Sequence, residues 1–65
     1  MKIAIDNVQP EVATEYLNVS DVQDIEEKYV RCVDHNIDII ITADKQTAEF
    51  FQQNGIKAYI LIALS

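Results

Sequence analysis

This chain has little of several residues that usually mark a function. Its single Cys, Cys32, cannot form an internal disulfide, so the secreted disulfide scaffolds are excluded. Its single Gly, Gly55, cannot build a Gly-rich phosphate loop, which argues against ordinary nucleotide binding of that kind. Pro10 is the only Pro, and no linker, repeat or low-complexity tract interrupts the sequence. There is no Trp, and Tyr16, Tyr29 and Tyr59 are too dispersed to form a stacking platform for single-stranded nucleic acid. The longest apolar run, from Ala58 to Leu64, is far short of the ~20 residues of a spanning helix. The amino terminus reaches charged Asp6 too soon for a signal peptide, so a cytoplasmic location is expected, with no membrane partner.

Positive charge is also scarce. Five bases face eleven acids, for a net charge of -6. Nucleic-acid binders gain most of their affinity from a basic patch, and none is visible. An acidic surface suits a divalent cation, a protein partner with a basic surface, or simple solubility. The 65 residues fit one domain, residues 1–65, and 49% hydrophobic content is globular rather than disordered.

Residues 2–6 read as a strand, with Ile3 and Ile5 on one face. After a turn at residues 7–9, Pro10 suits the first turn of a helix that would carry Val12, Ala13, Tyr16 and Leu17 on one side. Residues 16–19 read equally well as a short strand. Ser20 and Gln23 have the spacing of a capping box. The following helix places Val22, Ile25, Tyr29, Cys32 and Val33 in an apolar stripe, with Asp24, Glu27, Lys28 and Arg31 outside it. It is expected to run to about His35, with Asn36 as a left-handed stop.

Ile39, Ile40 and Ile41 form the core of a buried strand within residues 37–43. A further helix opens at Asp44, directs Ala48 and Phe51 inward and ends at Asn54 and Gly55. A last strand follows from Ala58. Strands alternating with helices predict a small three-layer α/β fold with a three- or four-stranded, mainly parallel sheet. The last strand carries no charge after Lys57, and an uncharged edge invites pairing into a homodimer.

Ligands of open parallel sheets bind beyond the carboxyl ends of the strands. Asp6 and Asp44 stand at two such ends and are the candidate site residues. Together they suit Mg²⁺ or Mn²⁺, with Thr42 as an added hydroxyl. Both also have ordinary structural uses, Asp44 as a helix cap and Asp6 in a turn. Cys32 and His35 share a helix at i,i+3, but structural zinc needs four ligands and no second Cys or His exists.

Residues 1–6 with Pro10, and the segment Ile39-Ile40-Ile41-Thr42-Ala43-Asp44-Lys45, resemble small PIN-like nuclease domains, many of which act in toxin–antitoxin pairs. The resemblance implies that Asp6 and Asp44 are metal-binding acids, joined by Glu26 or Glu27, and that the domain cleaves RNA with Mg²⁺ or Mn²⁺. Gln46 stands where that family often has a second acid. Residues 1–5, 36–41 and 54–59 are similar to the dinitrogenase iron–molybdenum cofactor-binding family, also small α/β; its Gly-rich loop is replaced by Thr42-Ala43-Asp44-Lys45. Two functions follow as expectations. One is an acidic protein-interaction or regulatory module; the alternative is a metal-dependent phosphodiesterase with Asp6 and Asp44 as its catalytic acids.

Overall fold

The computed structural model describes residues 1–8 and 15–61. Their order is β1 (Ile3–Asp6), β2 (Tyr16–Asn18), α1 (Ile25–Asp34), β3 (Ile39–Thr42), α2 (Lys45–Gln53) and β4 (Lys57–Ile60). The four strands form one parallel sheet in the order β2-β1-β3-β4. This is the small α/β architecture that the alternation of elements predicts.

Register explains the core. Ala4, Ile40 and Ala58 stand side by side, as do Asp6, Thr42 and Ile60. Alternate residues of a strand face opposite ways, so these two rows share one face. Cys32 of α1 and Ala48 and Phe51 of α2 pack into the same buried cluster as Ala4, Ile40 and Ala58. Both helices therefore cover that face. Tyr29 seals their junction, meeting Phe50 and Phe51 edge-on at centroid separations of 5.9 and 5.6 Å. The expected third layer rests on a helix beginning at Pro10. Residues 9–14 lie outside the described residues, and Tyr16 and Leu17 belong to β2. Residues 62–64 of the expected last strand also lie outside them.

The helix ends follow local chemistry. Asn36 and Gly55 adopt φ of 55° and 86°. Behind α1, the Asn36 and Ile37 N–H groups donate to the Val33 and Cys32 carbonyls. Behind α2, those of Gly55 and Ile56 donate to Gln52 and Phe51. Each is a left-handed stop that satisfies the last carbonyls. Ile37 and Ile56 then fold back onto the core.

Two expectations for α1 are corrected. Ser20 does not cap it; Asp24 does, in an extended conformation, accepting the Glu26 N–H at 2.8 Å. The Ser20 hydroxyl is used elsewhere, accepting the Asn7 N–H at 2.7 Å and tying the end of β1 to the segment after β2. Lys28, expected outside the apolar stripe, is buried, while Val33 is exposed.

Cys32 is fully buried. Burial pushes its thiol up from 9.0 to about 11, with the Asp6 carboxylate adding to the rise and Arg31 opposing it. A rise of that size lowers the thiolate fraction about a hundredfold near neutral pH. Alkylation by iodoacetamide at pH 8 is therefore expected to run about a hundredfold slower in the folded chain than in urea. The folded pKa lies above the unfolded one, so this contribution to stability is complete below pH 9.0 and is lost as pH rises to about 11. Equal alkylation rates with and without urea would contradict the buried placement.

Candidate functional site

The strand order reverses direction at β1 and β3: from β1 the chain passes to β2 on one side, and from β3 to β4 on the other. Beyond the carboxyl ends of such a pair the loops diverge and leave a crevice. Asp6 is the last residue of β1, and Asp44 follows the end of β3 by two residues. Sequence position thus brings both candidate acids to the switch point.

Asp6 is completely buried. Lys28 Nζ donates to both of its oxygens, at 2.9 and 3.0 Å, and the Thr42 hydroxyl donates to Oδ2 at 3.0 Å. The same Thr42 oxygen accepts the Asp44 N–H at 3.0 Å. Thr42 therefore links the Asp6 carboxylate to the backbone, not the carboxylate, of Asp44. Its side chain shares a row with Asp6 because the two residues are register partners across β1 and β3.

Asp44 faces its own helix. Its Oδ1 accepts the Gln46 N–H at 3.2 Å and its Oδ2 accepts the Thr47 hydroxyl at 2.9 Å. It is the cap of α2, in an extended conformation. Gln46 contributes only a backbone donor to this cap. Asp44→Ala is expected to destabilise the chain by about 1 kcal/mol, the usual loss for such a cap. Urea unfolding followed by circular dichroism measures it, and no change would remove the capping role.

Glu26 is exposed in the first turn of α1. Lys28 of the same helix turns inward to Asp6, and side chains two residues apart do not share a helix face. Glu26 instead borders an open groove with Asp24, Glu27, Val30, Arg31, Asp34 and His35. Among the described residues, no three of His, Cys, Asp and Glu form a group able to hold a metal ion. The Asp6 surroundings do not fit a divalent cation as they stand, because the Lys28 ammonium already occupies the position of a counter-charge on both oxygens. Cys32 and His35 do not form a shared site either: the thiol is in the core, and His35 is an exposed helix cap.

Comparison with family models, with curated proteins and with solved structures finds no match for this chain. Function must therefore be argued from the site itself.

Lys28 is the site residue that sequence reasoning missed. Its signal was present in the spacing. Ile25, Lys28, Tyr29 and Cys32 fall at i, i+3, i+4 and i+7, one helix face, so Lys28 interrupts the apolar stripe rather than lying outside it. A cation inside such a stripe needs a buried anion, and Asp6 is the acid at the end of an inner strand.

Proposed function

We propose that this chain is a small acidic protein-interaction module of the cytoplasm whose partner presents a basic surface. The observation that favours this reading over a hydrolase is the closure of Asp6. An acid with both oxygens held by an ammonium and a hydroxyl, and with no solvent exposure, serves as an internal fastening. A metal-dependent hydrolase instead needs acids open to the ion and to water. The partner surface is argued from charge. The outer side of α1 exposes Val30 and Val33 beside Glu26, Glu27 and Asp34, and suits a segment with lysines around an apolar centre.

The alternative reading is a PIN-like phosphodiesterase acting on RNA with Mg²⁺ or Mn²⁺. It is favoured by the position of Asp6 and Asp44 at the carboxyl ends of neighbouring strands, at the switch point. It requires Lys28 to withdraw from Asp6.

One labelled sample tests both. ¹⁵N-labelled protein is titrated with a lysine- and leucine-rich amphipathic peptide, and separately with Mn²⁺. The module predicts amide shifts confined to the outer face of α1. They vanish at about 1 M salt, where charges farther apart than ~3 Å are screened. It also predicts no selective Mn²⁺ broadening at Asp6 and Asp44. Selective broadening there, abolished by Asp6→Asn, together with no peptide-induced shifts, would overturn the module in favour of the phosphodiesterase.

A further inference from the structure

Strand β4 is an edge of the sheet, and its outer side is only partly covered. The Leu61 N–H donates to the Thr42 carbonyl at 2.9 Å, so Leu61 directs its backbone toward β3. Backbone groups alternate sides along a strand, so Tyr59 does the same, while Ala58 and Ile60 direct theirs away from the sheet. The Ala58 carbonyl is already taken: Gln52 Nε2 of α2 donates to it at 3.0 Å. Among the described residues nothing bonds to the Ile60 N–H or C=O. The open edge is therefore centred on Ile60.

From these observations we infer that two copies of the chain associate through antiparallel β4 strands, with a two-fold axis at Ile60. The geometry is self-consistent. Residues facing each other across an antiparallel ladder alternate between hydrogen-bonded and non-hydrogen-bonded pairs. With the axis at Ile60, the two Ile60 residues exchange both of their bonds. Tyr59 then faces Leu61 of the other copy in the closer, non-hydrogen-bonded position, twice by symmetry. Both side chains lie on the face of the sheet opposite α1 and α2, and both are exposed in the single chain. Aromatic–aliphatic pairs of this kind stabilise a ladder. The result is an isologous contact of the two edge strands, centred on residues 59–61 and bounded by the Gln52 amide on the Ala58 carbonyl.

Charge distribution identifies the occupant as a second copy. Two chains of net charge -6 repel each other over most of their surfaces. All eleven acids lie between Asp6 and Glu49. From Phe50 to the last residue the only charge is Lys57, so this edge is where two acidic copies meet with least repulsion. The other edge strand, β2, has three residues, and its Asn18 side chain accepts the Ser20 N–H.

Sedimentation equilibrium over a wide concentration range tests the inference, alongside isotope-filtered NMR on an equal mixture of labelled and unlabelled chains. The mass is expected to rise with concentration from 7.4 kDa to twice that value. Added salt should tighten the dimer by screening the acidic repulsion, the opposite of its effect on a basic partner. Intermolecular contacts should connect Tyr59 with Leu61. Ile60→Lys places two ammonium groups opposite each other at the axis and should weaken association about tenfold or more. A monomer at every concentration overturns the inference. So does a dimer lacking the Tyr59–Leu61 contact, or one that Ile60→Lys leaves unchanged. If that variant fails to fold, the filtered contacts of the unaltered chain decide alone. None of these outcomes depends on the binding proposed for α1.

Discussion

Lys28→Met is expected to lower stability by about 3–5 kcal/mol, the usual loss when one partner of a buried ion pair is removed. The reason is asymmetric. Asp6 sits on an inner strand with no exposed surface and cannot move its carboxylate to water. Without the ammonium it retains the Thr42 hydroxyl and an uncompensated charge. A chain of 65 residues has roughly 3–10 kcal/mol of total stability, so most of the reserve would be lost. Asp6→Asn should cost less, because the long Lys28 stem lets its ammonium reach solvent. Replacing both, with Asp6→Leu and Lys28→Met, should recover much of the loss, since apolar side chains of similar volume replace buried ion pairs well. Urea unfolding followed by circular dichroism measures all three variants. A double variant no more stable than Lys28→Met would show that the ion pair is not the term being removed. The same set bears on function. If Lys28 serves only to hold Asp6, the refolded double variant should keep the peptide-induced shifts on α1.

The second large effect is expected at Phe51. It is fully buried and stands at the centre of the packing. It meets Tyr29 of α1 edge-on, lies in the cluster with Ala4, Ile40 and Ala58, and its carbonyl receives the Ile56 N–H where α2 ends. Phe51→Ala removes the largest buried side chain and leaves a cavity that two helices and a sheet must share. About 3–5 kcal/mol is the usual loss. In a domain of this size each kcal/mol shifts the melting temperature by about 4–8 °C, so a fall of more than about 12 °C is expected. Phe50 is the control. It is only half-buried, touches Tyr29 at 5.9 Å and should cost less than half as much on truncation. Equal falls for Phe50→Ala and Phe51→Ala in thermal unfolding would contradict the inward placement of Phe51.

Both effects show which parts of the fold could be read before any coordinates. Phe51 and Ala48 were legible because an amphipathic helix of nine residues shows its buried face by spacing alone. The helix stops at Asn36 and Gly55 were legible because few residues tolerate positive φ. Asp44 was legible as a cap for the same local reason. The start of α1 was not, because two cap sequences compete within five residues. Ser20 fits the pattern, but its hydroxyl is used by Asn7, which is distant in sequence and adjacent in the fold. A charged residue on a helix is expected outside, and only the depth of Asp6 reverses that expectation for Lys28.

The sequence by itself determined the alternation of strands and helices, the parallel sheet, the acidic balance and the uncharged last strand. These are properties of local spacing and composition, which physical chemistry converts directly into structure. Only the tertiary structure decided how the polar groups are used. Asp6 and Thr42 became register partners, Lys28 reached across from α1, and the Thr42 hydroxyl joined the Asp6 carboxylate to the backbone N–H of Asp44. Gln52 took the Ala58 carbonyl and left Ile60 open at the edge. Each of these depends on which side chains meet across segments far apart in the chain. Desolvation acts on that meeting rather than on sequence, so a carboxylate at a strand end comes to fasten a helix to a sheet.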